Sequence, residues 1–217
     1  MLKIDKVCYR YKNSEKSVLK DVSAGFEGGK VHAIIGPSGS GKTTLLSIMA
    51  GLDRPTSGEV IINGSKLSGI DLDQYRRESI SMIFQAFNLF PFLSALENTC
   101  YPMELLGVEH KEAKAKAKDL LISLGIDDAK QQRYPANLSG GEQQRVAIAR
   151  ALSSGAKVIL ADEPTGNLDS ANGETVVNIL RHLAHSKDYC IVVVTHDLAI
   201  AQAADVVFKM SDGVLAG

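Results

Sequence analysis

Short apolar runs alternate along the chain with longer stretches whose apolar residues recur at helical spacing. Residues 2–9 alternate loosely and predict a strand; 18–26 predict another, after a polar turn at Lys12-Asn13-Ser14-Glu15. Residues 31–35 form a short β-branched run that stops at a glycine-rich turn. Residues 43–50 then have helical spacing, with Leu45, Leu46 and Met49 on one face, until Gly51, Pro55 and Gly58 break the pattern. Residues 59–64 read as a strand entering a tight turn, and 109–124, rich in Ala, Lys and Leu, as a helix ending at Gly125. Two further apolar runs, 158–161 and 190–194, predict buried strands separated by a helical pattern over 173–184. Strands alternating with helices predict an α/β fold, a parallel sheet with helices packed on it.

Composition narrows the classes without naming one. The 217 residues are 45% hydrophobic and 23% charged, enough for one well-buried core and no more than one ordinary domain. A formal net charge of −1 gives no global attraction to nucleic acid or acidic lipid. The lysines of 109–124 alternate with acids and lack interleaved aromatics, so they read as a solvated helix face. Cys8, Cys100 and Cys190 lie far apart, which excludes a metal-site or disulfide pattern and fits a reducing compartment. Residues 1–6 lack the apolar stretch of a secretory signal, and the apolar runs are strand-length, far below the ~20 residues of a membrane span. Any membrane role is therefore expected to be borrowed from another polypeptide.

The chemistry begins at Gly36-Pro37-Ser38-Gly39-Ser40-Gly41-Lys42-Thr43, a complete G-x-x-x-x-G-K-[ST] phosphate loop between a strand and a helix. Its glycines let successive N–H groups converge on phosphate oxygens, and the helix N-terminus adds positive potential. Lys42 is expected to reach the β- and γ-phosphates of ATP and the Thr43 hydroxyl to ligate Mg²⁺, with Thr44 completing the nucleotide-binding run. The strand at 158–161 ends in Asp162-Glu163. Asp162 is expected to hold Mg²⁺ and Glu163, one residue further, to polarise an attacking water as general base.

Leu138-Ser139-Gly140-Gly141-Glu142-Gln143-Gln144-Arg145 narrows the choice. Ser-Gly-Gly leading into a helix is a second anion-binding helix N-terminus, for which one triphosphate on one chain has no need. The segment resembles the signature motif of the ABC (ATP-binding cassette) family, and the resemblance runs from residue 2 to 213. It implies a P-loop NTPase fold: a RecA-like, mostly parallel core, an N-terminal antiparallel β subdomain and an α-helical subdomain inserted at roughly 86–150 of a single domain. It also implies a homodimer in which Ser139, Gly140, Gly141 and Glu142 of each copy close over the ATP of the other. Tyr11 resembles the aromatic that stacks on adenine, with Tyr9 as the alternative. Gln85 resembles the glutamine that meets Mg²⁺ and the attacking water, and Asp169, in Asn167-Leu168-Asp169-Ser170, the D-loop acid that communicates across the dimer. His196 resembles the switch histidine at the γ-phosphate, and it follows a buried strand at the edge where open α/β sheets place ligands.

Within the family, Asp162-Glu163-Pro164-Thr165-Gly166-Asn167-Leu168-Asp169 looks like the branch of lipoprotein release, macrolide and antimicrobial-peptide export, and the related cell-division complex. The resemblance implies an ATPase at the cytoplasmic face of the membrane, driving an integral membrane permease, with no nucleic-acid partner. The aromatic stretch from Phe84 to Phe92 is the expected docking surface for that permease, although about half of these side chains are expected to bury. Two rival readings are a regulatory module of a cell-division-type complex that moves no cargo, and a soluble ABC ATPase of ribosome or DNA metabolism.

Overall fold

The computed structural model describes residues 1–12, 14 and 16–216. The polar turn expected at Lys12–Glu15 falls partly on Asn13 and Glu15, which lie outside the described residues. Along the chain run β1 (Leu2–Tyr9), β2 (Leu19–Phe26), β3 (Lys30–Ile35), α1 (Lys42–Met49), β4 (Ser57–Ile62), β5 (Ser65–Lys66), α2 (Leu72–Glu78) and β6 (Ile80–Ile83). Four helices follow: α3 (Ala95–Leu105), α4 (His110–Ser123), α5 (Asp128–Gln131) and α6 (Gly140–Ser153). The chain continues through β7 (Val158–Asp162), α7 (Ser170–Lys187), β8 (Cys190–Thr195), α8 (Leu198–Ala203), β9 (Val206–Ser211) and β10 (Val214–Ala216).

Two sheets result. One is antiparallel, in the order β2-β1-β4-β5, and the other runs β10-β9-β3-β8-β7-β6. In the second, β9, β3, β8, β7 and β6 are parallel, and only the β9–β10 hairpin is antiparallel. The period of two along the central strands divides the interior into two cores. Ile191 and Val193 of β8, with Ile159 and Ala161 of β7, face a core shared with α3, α4, α6 and α7. Cys190, Val192 and Val194, with Val158 and Leu160, face a core shared with α1 and the antiparallel sheet. A one-residue slip of β8 would exchange these faces, and each fully buried aliphatic contributes about 1.5–3 kcal/mol, so the register is strongly fixed.

The carboxyl ends of β3, β7 and β8 consequently sit side by side: Ile35 pairs with Thr195, and Asp162 with Val194. The phosphate loop, the Asp162-Glu163 pair and His196 leave from those ends, and Gln85 from β6 beside them, whereas the signature segment precedes α6 in the helical layer. Helix α1 packs on β7 and β8, whereas α6 packs on α3, α4, α7 and β6.

His32 is buried against Phe26 and accepts the Glu27 N–H at Nε2, so its Nδ1 is the donor to the Ile191 carbonyl. Burial lowers its pKa. His110 and His185 pair at the surface with Glu104 and Asp205. Of the cysteines, Cys100 and Cys190 are buried, with pKa values pushed up to about 11 and about 12 by desolvation, and Cys8 is half-buried.

Candidate functional site

The phosphate loop is formed by close approach of backbones. A Cβ on Gly36 would overlap the carbonyl oxygen of Met210 in β9. Gly41, the N-cap of α1, has φ 107°, a conformation L side chains avoid. Gly213 in the β9–β10 turn donates its N–H to the Ser40 carbonyl at 3.0 Å, so the C-terminal hairpin braces the loop from behind. Lys42 is almost buried and its ammonium donates to the carbonyls of Gly36 and Pro37, at 2.9 and 3.0 Å. The Ser40 hydroxyl is buried without a hydrogen-bond partner among the described residues, and Pro37, Ser38 and Gly39 are exposed. A buried ammonium and an orphaned hydroxyl at a helix N-terminus fit a polyphosphate. Tyr11 stands exposed beside this helix, its hydroxyl 3.1 Å from Thr44 Oγ1, while Tyr9 meets it edge-on and packs on the antiparallel core.

Thr43 and Asp162 meet here from α1 and β7, the hydroxyl donating to Asp162 Oδ1 at 3.3 Å. Burial raises the Asp162 pKa and the neighbouring Glu163 charge adds to it, while the Thr43 hydrogen bond opposes them. A carboxylate so placed gains from a cation. The described residues hold no cluster of three His, Cys, Asp or Glu. One carboxylate and one hydroxyl are hard oxygen donors of the kind Mg²⁺ takes when phosphates and water complete its shell, so Thr43 and Asp162 would hold it.

Glu163 has φ 47°, uncommon for a residue with a side chain. Its N–H still pairs with the Val194 carbonyl, extending the sheet by one residue, and the turn swings its carboxylate onto the end of β8. There Thr195 Oγ1 donates to Oε2 at 3.1 Å, and His196 approaches Oε1 through Nδ1 at 2.9 Å and Oε2 through its backbone N–H at 3.4 Å. Glu163 and His196 are thus brought together, and Thr195, absent from the sequence-based site, is the buried group between them. A threonine ending an apolar strand carries no signal of its own, because its partner lies 32 residues away.

Gln85 leaves β6 towards the same edge. Asn167 Nδ2 donates to the Gln85 carbonyl at 2.8 Å, and a Cβ on Gly166 would come within 2.9 Å of the Gln85 amide. The signature segment lies with the helical layer. Ser139 is the N-cap of α6 in a reciprocal capping box: Glu142 N–H donates to Ser139 Oγ at 3.3 Å and Ser139 N–H to Glu142 Oε2 at 2.8 Å. The Glu142 carboxylate also pairs with Lys130 at 3.2 Å, so it secures the helix start rather than reaching outward. The first-turn amides of Gly140 and Gly141 are left without intrahelical acceptors. Asp169 caps α7, accepting from the N–H and the side-chain amide of Asn172.

Of the aromatic stretch after Gln85, Phe92 and Phe90 are exposed, at 88% and 41%, whereas Phe84, Phe87 and Leu89 are half-buried. Phe84 and Phe90, with Leu52, Met82, Tyr101 and Leu105, line an open apolar groove of about 400 Å³ between α2 and α3, rimmed by Arg76, Arg77 and Arg150. No helix among the described residues is long and apolar enough to cross a membrane.

Comparison with known proteins agrees with this construction. The family model described as ABC transporter matches residues 19–166. The uncharacterized ABC transporter ATP-binding protein YclH of Bacillus subtilis (strain 168) is 40% identical over 213 residues, 98% of this chain and 94% of that protein. The macrolide export ATP-binding/permease protein MacB of Shewanella sp. (strain W3-18-1) is 45% identical over 214 residues, 96% of this chain but only 33% of MacB. A dimeric post-hydrolysis structure of the ATP-binding cassette MJ0796, bound to ADP and Pi, superposes with a TM-score of 0.91 at 39% identity, covering 100% of this chain and 97% of that one. With the phosphate loop, the carboxylate pair and the signature helix in place, the chain belongs to the ABC transporter family, as an ATP-binding, ATP-hydrolysing subunit that uses Mg²⁺.

Proposed function

We propose that two copies of this chain close head-to-tail on two ATP molecules, and that closure and hydrolysis drive a membrane permease. The observation that carries this reading is the separation of two anion-binding helix ends onto different layers. The phosphate loop opens α1 on the parallel sheet, and the amides of Gly140 and Gly141 open α6 on the helical layer. An isologous pairing lets the second end of one copy complete the first end of the other.

In this reading Tyr11 packs on the adenine, and the run from Gly36 to Thr44 wraps the phosphates, with Lys42 leaving the Gly36 and Pro37 carbonyls for the phosphate oxygens. Thr43, Asp162 and Gln85 would hold Mg²⁺, which would supply charge neutralisation for the transferred phosphoryl group. Glu163 accepts a proton from the attacking water as its oxygen bonds to the γ-phosphorus and the bond to the ADP oxygen breaks. Thr195 fixes the carboxylate. His196, 71% exposed in its side chain, is held to Glu163 by a solvent-screened contact weak enough to exchange for a γ-phosphate oxygen. Ser139, Gly140 and Gly141 cap that phosphate in the partner copy, with Glu142 holding their loop and Asp169 setting the D-loop beside them.

The groove beside Gln85 suits a short amphipathic helix on the cytoplasmic side of a permease, which supports the reading that the chain works at that membrane face. Likeness to the macrolide exporter favours export or extraction of a peptide, lipoprotein or drug-like substrate over nucleic-acid or ribosome work. A cargo-free regulatory role uses the same cycle, and cargo-dependent transport in reconstituted vesicles separates the two. The dimer is tested with Glu163→Gln. Light scattering of that variant with MgATP is expected to show a dimer holding two nucleotides, with turnover stopped. A monomer under saturating MgATP, or undiminished turnover, would overturn the reading.

A further inference from the structure

The signature helix and the D-loop meet at one side chain. Asn172, in the first turn of α7, donates its amide N–H groups to both carboxylate oxygens of Asp169, at 3.0 and 2.8 Å. Its Oδ1 accepts from Arg145 Nη1 of α6 at 3.4 Å. The orientation of the amide is determined by chemistry, since a carboxylate only accepts and a guanidinium only donates. The same side chain lies over Gly141. A Cβ built there would overlap Asn172 Oδ1 and Cγ and stand 3.1 Å from its Cβ. Gly141 has an ordinary helical backbone with no positive φ, so conformational freedom does not explain the glycine. The space taken by Asn172 does. Gly140, by contrast, has nothing nearer than 3.7 Å, the Asn167 carbonyl oxygen and Leu168 Cδ2 of the D-loop.

We propose that Asn172 is a positioning residue that locks the D-loop acid Asp169 and the signature turn Gly140-Gly141 into one rigid clamp, so that both loops meet the second copy in a single motion. This rests on the head-to-tail dimer described above. Two loops that must engage the same partner together lose less conformational freedom on closure if they are already joined. Asn172 does so with a charge-assisted pair on one side and a van der Waals seat on the other. It touches no reacting group, and its effect is expected on closure rather than on nucleotide capture by the open monomer, whose phosphate loop lies on another layer.

The test is a double-mutant cycle in the full chain carrying Glu163→Gln, reading ATP-dependent dimerisation by sedimentation and nucleotide affinity of the monomer with a fluorescent ATP analogue. Asn172→Ala is expected to weaken dimerisation about tenfold, the effect of losing one charge-assisted hydrogen bond. Monomer affinity should stay within about twofold, which also certifies that the variant folds. Gly141→Ala is expected to weaken dimerisation about a hundredfold through overpacking against Asn172. Adding Asn172→Ala to it should recover about tenfold, because only the Cβ contact then remains. Dimerisation of Asn172→Ala equal to the parent's would overturn the clamp, as would a double variant no better than Gly141→Ala alone. A parent that fails to dimerise sinks the head-to-tail reading itself, which the other results leave standing.

Discussion

Thr195→Val changes almost no volume at the end of β8, yet it is expected to cost most of the turnover. Thr195 is fully buried. Its hydroxyl donates to Glu163 Oε2 at 3.1 Å and accepts the Asp197 N–H at 2.9 Å. A buried hydrogen bond to a carboxylate contributes about 1.5–3 kcal/mol. The other side-chain tether of Glu163, His196 Nδ1, belongs to a side chain 71% exposed, and such screened pairs contribute below about 1 kcal/mol. Thr195 therefore dominates the placement of the carboxylate. With about 1.4 kcal/mol per factor of ten, its loss predicts a fall in kcat of roughly 10- to 100-fold. KM for ATP should hardly move, since the Thr195 hydroxyl bonds to Glu163 and Asp197 and not to the phosphate loop. The orphaned Asp197 N–H adds a stability loss of about 1–2 kcal/mol, a drop of a few degrees in Tm for a chain of this size. Phosphate release measured across ATP concentrations, with calorimetry beside it, checks both. Thr195→Ser, which keeps the hydroxyl, should restore most of the kcat. A Thr195→Val enzyme within about twofold of the parent kcat would refute the argument that this bond positions the base.

Gly36→Ala places a Cβ inside the Met210 carbonyl oxygen of β9, so either the phosphate loop or the C-terminal hairpin must move. Overpacking of this kind costs about 1–3 kcal/mol, and ATP-induced stabilisation in a thermal shift assay should disappear with it. The chain should also be acid-labile in a defined way. The Ser139 N–H holds the Glu142 carboxyl below its usual range, and the Asn172 N–H does the same for Asp169. A depressed carboxyl contributes stability above its unfolded pKa and loses it as pH falls through the folded value, so Tm should drop below about pH 4. Glu142→Gln keeps the capping geometry without the charge. It should lower Tm at pH 7 and flatten the acid limb, whereas an unchanged acid limb would contradict the assignment.

The phosphate loop was legible because its eight residues are contiguous and its chemistry is local to one turn. Strands β7 and β8 were legible because both faces are buried, leaving unbroken apolar runs. Helix α3 was not. Its buried face includes Asn98 and Thr99, and Asn98 spends its amide on the carbonyls of Phe90, Leu93 and Ser94, which blurs the apolar period. Strand β10 forms the sheet edge and β9 lies next to it, and half-burial there removes the contrast between inward and outward positions. Helix α7 extends three residues beyond each end of the expected span, started by the Asp169 cap and closed by Asp188 in a left-handed turn. At the site, the roles of Thr195 and Asn172 depend on partners across the fold, which spacing alone does not reveal. Glu142, expected to close over ATP, and Asp169, expected to communicate across the dimer, turn their carboxylates onto the starts of their own helices, a consequence of capping that the motif does not display.

The central claim is that the signature of one copy completes the phosphate loop of another. Ser38, exposed in the loop, and Ser139, at the start of α6, should then face each other across the dimer and not within a chain. A variant carrying Ser38→Cys, Ser139→Cys and Glu163→Gln, with its native cysteines replaced, should give a covalent dimer on mild oxidation with MgATP. It should stay monomeric with ADP or without nucleotide. An intramolecular disulfide in a monomer, or a covalent dimer that forms equally without ATP, would contradict the account.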